Sequence, residues 1–313
     1  MNSACRHSRF RNLALSILLL AIIGSACQHS GEKPTPGILP TGTQSIPQTQ
    51  TPPSQSTLPA SLPSATPTEA GCEENSGTLF DRSLESSVLG ESLDFKVYLP
   101  PCYGFDKGQR YSVLYMLHGQ TSSFDQWVNL GLQSAMDDLL KHGLIDPFIL
   151  VLPNETRSNV DGNNSKYGQS LAEELVPFID ENYRTCSERQ CRAIGGLSRG
   201  GNWAVHLGFE RPDLFTAVGA HSAPLFYGEI TTVRYAASDK ETASALPVFY
   251  IDVGNKDEDL ADVQKFVQTL QEFHSVAYEF NSYLGYHNEA YWSAHVSDYL
   301  LWYANQLHPP YEN

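Results

Sequence analysis

"AIGGLSRGGNWAVHLGFERP", residues 193–212, begins apolar and ends amphipathic, and Gly196-Leu197-Ser198-Arg199-Gly200 stands at the junction. A short apolar run followed by helical periodicity predicts a strand, a sharp turn and a helix. Gly196 and Gly200 remove the side chains that would collide at such a turn. The turn lifts the Ser198 hydroxyl out of the sheet and aims the unpaired N–H groups of the helix start at the same spot. In an open parallel sheet, sites lie beyond the carboxyl ends of strands. Ser198 sits at such an end and is a candidate nucleophile; a helix-capping serine is the alternative.

Outward from this junction the chain alternates strand and helix. Residues 92–99, "SLDFKVYL", place Leu93, Phe95, Val97 and Leu99 against Asp94, Lys96 and Tyr98. Period two predicts a strand with one solvated face, as in antiparallel pairing. "VLYML" (113–117), "FILVL" (148–152) and "VFYIDV" (248–253) are continuous apolar runs, the pattern of parallel strands covered on both faces. Leu132, Ala135, Met136, Leu139 and Leu140 share one helical face, as do Leu260, Val263, Phe266, Val267 and Leu270. Leu171, Leu175, Val176 and Ile179 form a third face, with a kink expected at Pro177. The sum is a three-layer α/β architecture with a mostly parallel central sheet and antiparallel N-terminal strands.

A serine hydroxyl is a poor nucleophile without a base. When such a serine sits on a strand-to-helix turn, the chain order serine, acid, histidine confines the search to residues after 198. Asp257 follows "VFYIDVG" in a polar loop; Asp252 is the rival, but lies within the strand, and Asp259 is placed to cap the next helix. His287, in "YLGYHNEAYW", follows the strand-like "VAYEFNSYL" and is the candidate base. His221 ends a strand but precedes the acid, and His274 and His295 fall on helical stretches. A developing oxyanion needs N–H donors. The Arg199 N–H directly follows the serine, and the Gln120 N–H in "YMLHGQTSSFDQW" (115–127) is the second candidate. Trp127 and Trp292 are possible pocket walls, with buried packing the alternative.

Before the domain, residues 1–27 carry Arg6, Arg9 and Arg11, an apolar run from Leu13 to Ile23, then Gly24-Ser25-Ala26-Cys27. This reads as an export signal, with Cys27 a candidate lipidation site and simple cleavage near Ala26 the alternative. Residues 28–71, rich in Pro, Thr, Ser and Gln, read as a disordered tether, and residues 72–313 as one catalytic domain. Localisation is expected outside the cytoplasm, with the membrane reached only through the lipid anchor. Removing residues 1–27 takes away three of the 20 basic residues and none of the 35 acidic ones, leaving 17 against 35, or −18. That balance disfavours nucleic acid as a partner. Cys72, Cys102, Cys186 and Cys191 suit an oxidising compartment. Cys186 with Cys191 is the natural local pair and Cys72 with Cys102 the remainder, though four cysteines allow three connectivities. No metal site is expected: Asp161, Asn163 and Ser165 mimic a calcium loop, but Lys166 and Ala172 stand where glycine and glutamate are needed. No phosphate loop occurs, and no cofactor is expected.

Together "VYLPPCY" (97–103), "YMLHGQTSSFDQW", "LAEELVPFIDENY" (171–183), "GGLSRGG", "VGNKD" (253–257) and "GYHNEAYW" (285–292) resemble the esterase D-like family of α/β-hydrolases. That family includes feruloyl and acetyl-xylan esterases, S-formylglutathione hydrolases, enterochelin esterases and mycolyltransferases. The resemblance implies the three-layer α/β-hydrolase fold. Position by position it implies Ser198 as nucleophile, Asp257 as acid, His287 as base, and Gln120 and Arg199 as oxyanion donors. Two positions depart from the family pattern: Arg199 stands where methionine is common, and Gly285-Tyr286-His287 replaces Gly-Gly-His. The expected activity is hydrolysis of a small-molecule or carbohydrate ester, on a polysaccharide or a siderophore. Acyl transfer to a sugar hydroxyl and a non-catalytic carbohydrate-binding module on the same fold are the alternatives.

Overall fold

The computed structural model describes residues 72–308. The expected export signal, Cys27 and the expected tether lie outside the described residues.

Eight strands form one sheet: β1 (Thr78–Ser86), β2 (Glu91–Leu99), β3 (Ser112–Leu117), β4 (Phe148–Pro153), β5 (Arg192–Leu197), β6 (Ala217–His221), β7 (Val248–Gly254) and β8 (Tyr278–Tyr283). Their spatial order is β1-β2-β4-β3-β5-β6-β7-β8. β1 and β2 make an antiparallel hairpin from Thr78↔Leu99 to Ser86↔Glu91, and β2 runs antiparallel to β4. Every later pair is parallel. The carboxyl ends of β3 to β8 therefore share one edge, joined there by the hairpin turn between β1 and β2.

The continuous apolar runs have a simple cause: both faces of each central strand are covered. On β3, Val113, Tyr115 and Leu117 enter one core while Leu114 and Met116 enter the other. On β4, Ile149 and Val151 face the first core, and Phe148, Leu150 and Leu152 the second. The second core is closed by α1 (Asp125–Asn129), α2 (Leu132–Lys141) and the last helix, Glu289–Gln306. The first is closed by the helical stretch 167–182, Arg199–Glu210, Glu229–Ser238 and Leu260–Gln271. Numbered in chain order, α3 is Tyr167–Ser170, α4 Val176–Asn182, α5 Arg199–Glu210, α6 Glu229–Ser238, α7 Lys240–Ala245, α8 Leu260–Gln271 and α9 Glu289–Gln306.

Three local expectations need correction. Tyr98 does not face solvent: it is fully buried against α2, where its hydroxyl donates to Asp137 Oδ1 at 2.6 Å. Pro177 coincides with a widened helix rather than a simple kink, since a π-turn over Leu171–Leu175 joins α3 to α4. Proline has no N–H to give a carbonyl four residues back, so a changed hydrogen-bond ladder at this point is reasonable. His274 lies in the turn after α8, not on a helix, while His295 is within α9. β1 has no clear sequence signature because it is an edge strand, exposed or half-buried at all but two of its nine positions.

The cysteines pair as Cys72–Cys102 and Cys186–Cys191. The first ties the segment before β1 to the loop after β2; the second closes the short turn before β5.

Candidate active site

Ser198 occupies the turn between β5 and α5 with φ +51° and ψ −120°, a conformation that side-chain-bearing residues rarely adopt. Such strain costs on the order of 1–3 kcal/mol and persists only where the surroundings over-determine it. Here they do. The Ser198 N–H donates to His221 O at 2.7 Å, and the Ser198 carbonyl accepts from Asn202 N at 3.0 Å. A Cβ on Gly200 would sit 2.3 Å from Leu117 O, and one on Gly196 2.5 Å from the Gly200 carbonyl carbon. The two glycines thus let the start of α5 lie directly against the end of β3. The N–H groups of that first turn have no acceptor four residues back and point out of the helix.

Two other loops converge on the serine. The loop after β7 and the loop after β8 are tied together by Asn255 N–H to Tyr283 O at 2.7 Å and Lys256 N–H to Gly285 O at 2.8 Å. This sets Asp257 beside His287. His287 Nδ1 lies 3.0 and 3.1 Å from the two Asp257 carboxylate oxygens, and His287 Nε2 lies 3.0 Å from Ser198 Oγ. A carboxylate can only accept from Nδ1–H, so Nε2 is left to accept the serine proton. Asn288 follows as the N-cap of α9, its side chain accepting from Tyr291 N at 3.1 Å, which anchors the histidine loop to the last helix. Trp292 in that helix meets the His287 ring edge-to-face at 5.0 Å, and its Nε1–H donates to Ser222 Oγ at 3.2 Å.

The electrostatics follow from burial and partners. Burial works to raise the Asp257 carboxyl, but hydrogen bonds from His287, the Asp259 N–H and Ser222 outweigh it and hold the group below its ordinary value. For His287, burial alone would lower the value; the Asp257 hydrogen bond and charge, aided by Asp259 and Glu258, raise it. Asp259 does not cap α8 with its side chain. Its carboxylate instead lies 3.4 Å from His287 Nδ1, and its N–H donates to Asp257 Oδ1 at 2.8 Å.

The remaining sequence candidates separate. Asp252 is fully buried within β7 and takes no part in this chain. Its oxygens accept from Tyr291 and Tyr299 at 2.6 and 2.9 Å and pair with His221 Nδ1 at 2.6 Å, forming a second polar network under the sheet end. Trp127 walls no pocket: it has no exposed surface, and its Nε1–H donates to Leu117 O at 2.9 Å. Trp292 is also buried, and acts on His287 rather than on open space. Gln120 is exposed at the mouth of the β3 loop, next to Gly119, whose N–H donates to Gln126 Oε1 at 2.8 Å.

Sequence reasoning missed Glu155. This residue lies just after β4, and its carboxylate receives Arg199 Nε and Nη2 at 2.7 and 2.6 Å. The signal was available: a guanidinium one residue after the serine, at a buried helix start, requires an anion. "LPNETR" supplies one at a neighbouring carboxyl end.

The chain matches the family described as "Putative esterase" over residues 86–303. It belongs to that family. It is 28% identical over 207 residues to an endo-1,4-beta-xylanase/feruloyl esterase of Xylanibacter ruminicola, covering 63% of this chain and 27% of that protein. An esterase of Mycobacterium tuberculosis is 29% identical over 160 residues, 48% of this chain and 33% of that one. The chain thus spans about a third or less of these curated relatives. A solved ferulic acid esterase superposes with TM-score 0.66 at 27% identity, covering 74% of this chain and 98% of that one. An S-formylglutathione hydrolase of Staphylococcus aureus gives 0.59 at 18% identity, over 73% and 99%, a likeness of fold alone. The sheet order and the esterase neighbours make this an α/β-hydrolase fold.

Proposed function

We propose that this esterase-family protein is an exported serine hydrolase of carboxylic esters, with Ser198 as nucleophile, His287 as general base and acid, and Asp257 as the carboxylate that orients the histidine. The observation that carries this reading is the unbroken hydrogen-bond chain from Ser198 Oγ through both ring nitrogens of His287 to Asp257. As Oγ attacks the ester carbonyl, its proton passes to His287 Nε2 and the carbonyl π electrons move onto oxygen. The N–H groups of Arg199 and Gln120 receive that oxyanion. Collapse breaks the bond to the alcohol oxygen, which takes the proton from His287, leaving an acyl-enzyme. Water, activated by the same histidine, attacks the acyl carbon and releases the acid, and the proton returns to Ser198. Asp257 holds the Nδ1–H tautomer and stabilises the imidazolium formed in each half. No cofactor enters the scheme.

A feruloyl-type (hydroxycinnamoyl) ester on a polysaccharide is the substrate class we favour. The named activities of the xylanase/feruloyl esterase and ferulic acid esterase relatives support it. Two disulfides support an oxidising compartment outside the cytoplasm, reached through the residue 1–27 signal. Ser198→Ala is expected to lower kcat on p-nitrophenyl or feruloyl esters by roughly four to six orders of magnitude with the fold intact. Activity within tenfold of wild type would end this mechanism.

A further inference from the structure

Resting on the mechanism above, we propose that Glu155 is a positioning residue for both halves of the oxyanion hole: its carboxylate fixes the start of α5 and its backbone N–H fixes the Gly119–Gln120 peptide. The two ties converge from one loop, which runs from the end of β4 to the start of α3.

The first tie is a forked ion pair. Arg199 Nε and Nη2 meet the two Glu155 oxygens at 2.7 and 2.6 Å, and Nη2 also donates to Val160 O at 2.8 Å. The Arg199 and Glu155 side chains are only 9% and 3% exposed. Two parallel charge-assisted bonds fix direction as well as distance. They hold the residue whose own N–H is the first oxyanion donor.

The second tie runs through His118. The Glu155 N–H donates to His118 Nε2 at 2.8 Å, so that nitrogen must be the unprotonated one. His118 Nδ1 therefore carries the hydrogen and donates to Gly119 O at 2.8 Å. Burial, the largest influence on His118, keeps the ring neutral by lowering its pKa. Gly119 C=O and Gln120 N–H belong to the same planar peptide group and point in opposite directions. Holding the carbonyl against His118 fixes where the Gln120 N–H points, and a donor on that carbonyl polarises the N–H. The same loop adds Ser158, whose Oγ accepts from Thr121 N at 3.2 Å on the far side of Gln120.

The pairing also accounts for Arg199 at a position where methionine is common in the family. A methionine would leave Glu155 buried without a cation, so the two residues function as a unit.

The test uses two variants of the full chain, with Ser198→Ala alongside. Glu155→Gln keeps the side-chain size and removes the charge that holds Arg199. We expect kcat to fall about tenfold to a hundredfold, short of the full loss of an oxyanion donor. KM should stay within about threefold, and the acid limb of the pH profile, set by His287, should not move. Phosphonylation by a fluorophosphonate, which places an oxygen in the same hole, should slow by a similar factor. Glu155→Leu combined with Arg199→Met removes the fork without stranding a buried charge, and so tests positioning apart from folding. Its melting temperature should return close to wild type while kcat remains at least fivefold low. If Glu155→Gln fails to fold, this double variant decides. In either folded variant, kcat within twofold of wild type overturns the proposal. With Ser198→Ala inactive, that result removes only the role of Glu155; an active Ser198→Ala removes the mechanism and this inference with it.

Discussion

At His287 burial and charge pull in opposite directions, and charge wins. Burial favours the neutral ring; the Asp257 hydrogen bond and the charges of Asp257, Asp259 and Glu258 favour the imidazolium and lift its pKa above the ordinary 6.5. Only neutral His287 can accept the serine proton. Activity should therefore be full above the raised value and fall as pH drops through it. A pH profile of kcat/KM on an uncharged ester, which reports the free enzyme, should show an acid limb with its midpoint above 6.5. In Asp257→Asn that midpoint should move down. The plateau should fall too, by up to the roughly 10⁴-fold seen for the matching change in serine proteases, and by less here because esters need less help from leaving-group protonation. Asp259→Asn, removing a charge 3.4 Å away and no orienting bond, should shift the midpoint slightly and leave the plateau within about threefold. Asp252→Asn belongs to a different class. It disturbs a buried network of His221, Tyr291 and Tyr299. It should cost about 1–3 kcal/mol of stability with kcat of the folded enzyme within tenfold. A folded Asp257→Asn with a normal plateau, beside a folded but inactive Asp252→Asn, would reverse the assignment of the acid.

Among the elements, the clearest electrostatic joint is between the β1–β2 turn and the helix of α3 and α4. The Glu174 carboxylate accepts from Ser86 Oγ, from Ser87 N and Oγ at 2.9 and 2.7 Å, from Val88 N at 3.1 Å and from Ser170 Oγ at 3.0 Å. Burial opposes ionisation, but these donors win and bring the carboxyl down to about 2 from 4.5. A depressed carboxyl stabilises the fold above its unfolded value, and that contribution is lost as pH falls toward the folded value. Glu174→Gln should therefore lower the melting temperature at pH 7, and the gap from wild type should shrink between about pH 4.5 and 2. A gap that persists unchanged at pH 2 would show that geometry, not charge, does the holding. The same scale shows what sequence could and could not tell. Strands β3, β4, β5 and β7 were legible because coverage on both faces demands unbroken apolar runs. β1 was not, since an edge strand needs little apolar surface. Tyr98 departs from the period-two expectation because alternation names a face without saying what covers it; α2 covers this one. Ser198, Asp257 and His287 could be picked out because each follows a strand in a loop. Glu155 follows a strand as well, and Arg199 after the serine signals the need for an anion, but which carboxylate meets it is decided by the packing of α5 against β3.

Across the whole molecule, six parallel strand ends bring the site to a single edge of the sheet, so His287, 89 residues from Ser198 and 30 from Asp257, meets both there. The domain, residues 72–313, carries 16 basic against 33 acidic residues, and that balance of −17 suits approach to neutral or cationic esters. If Cys27 carries a lipid, Cys27→Ser should move the protein from the membrane fraction to the soluble one; unchanged partitioning would favour simple cleavage near Ala26 or another attachment. The central claim concerns one covalent bond, and trapping it is the most direct test. A fluorophosphonate mimics the attacked ester but leaves a stable adduct on the attacking oxygen. Incubated with the intact protein and digested, it should add one phosphonyl group to the peptide that carries Ser198. The adduct should be absent in Ser198→Ala and should form far more slowly in His287→Ala. Stoichiometric labelling at another residue, or full ester hydrolysis with Ser198 unmodified, would contradict the account.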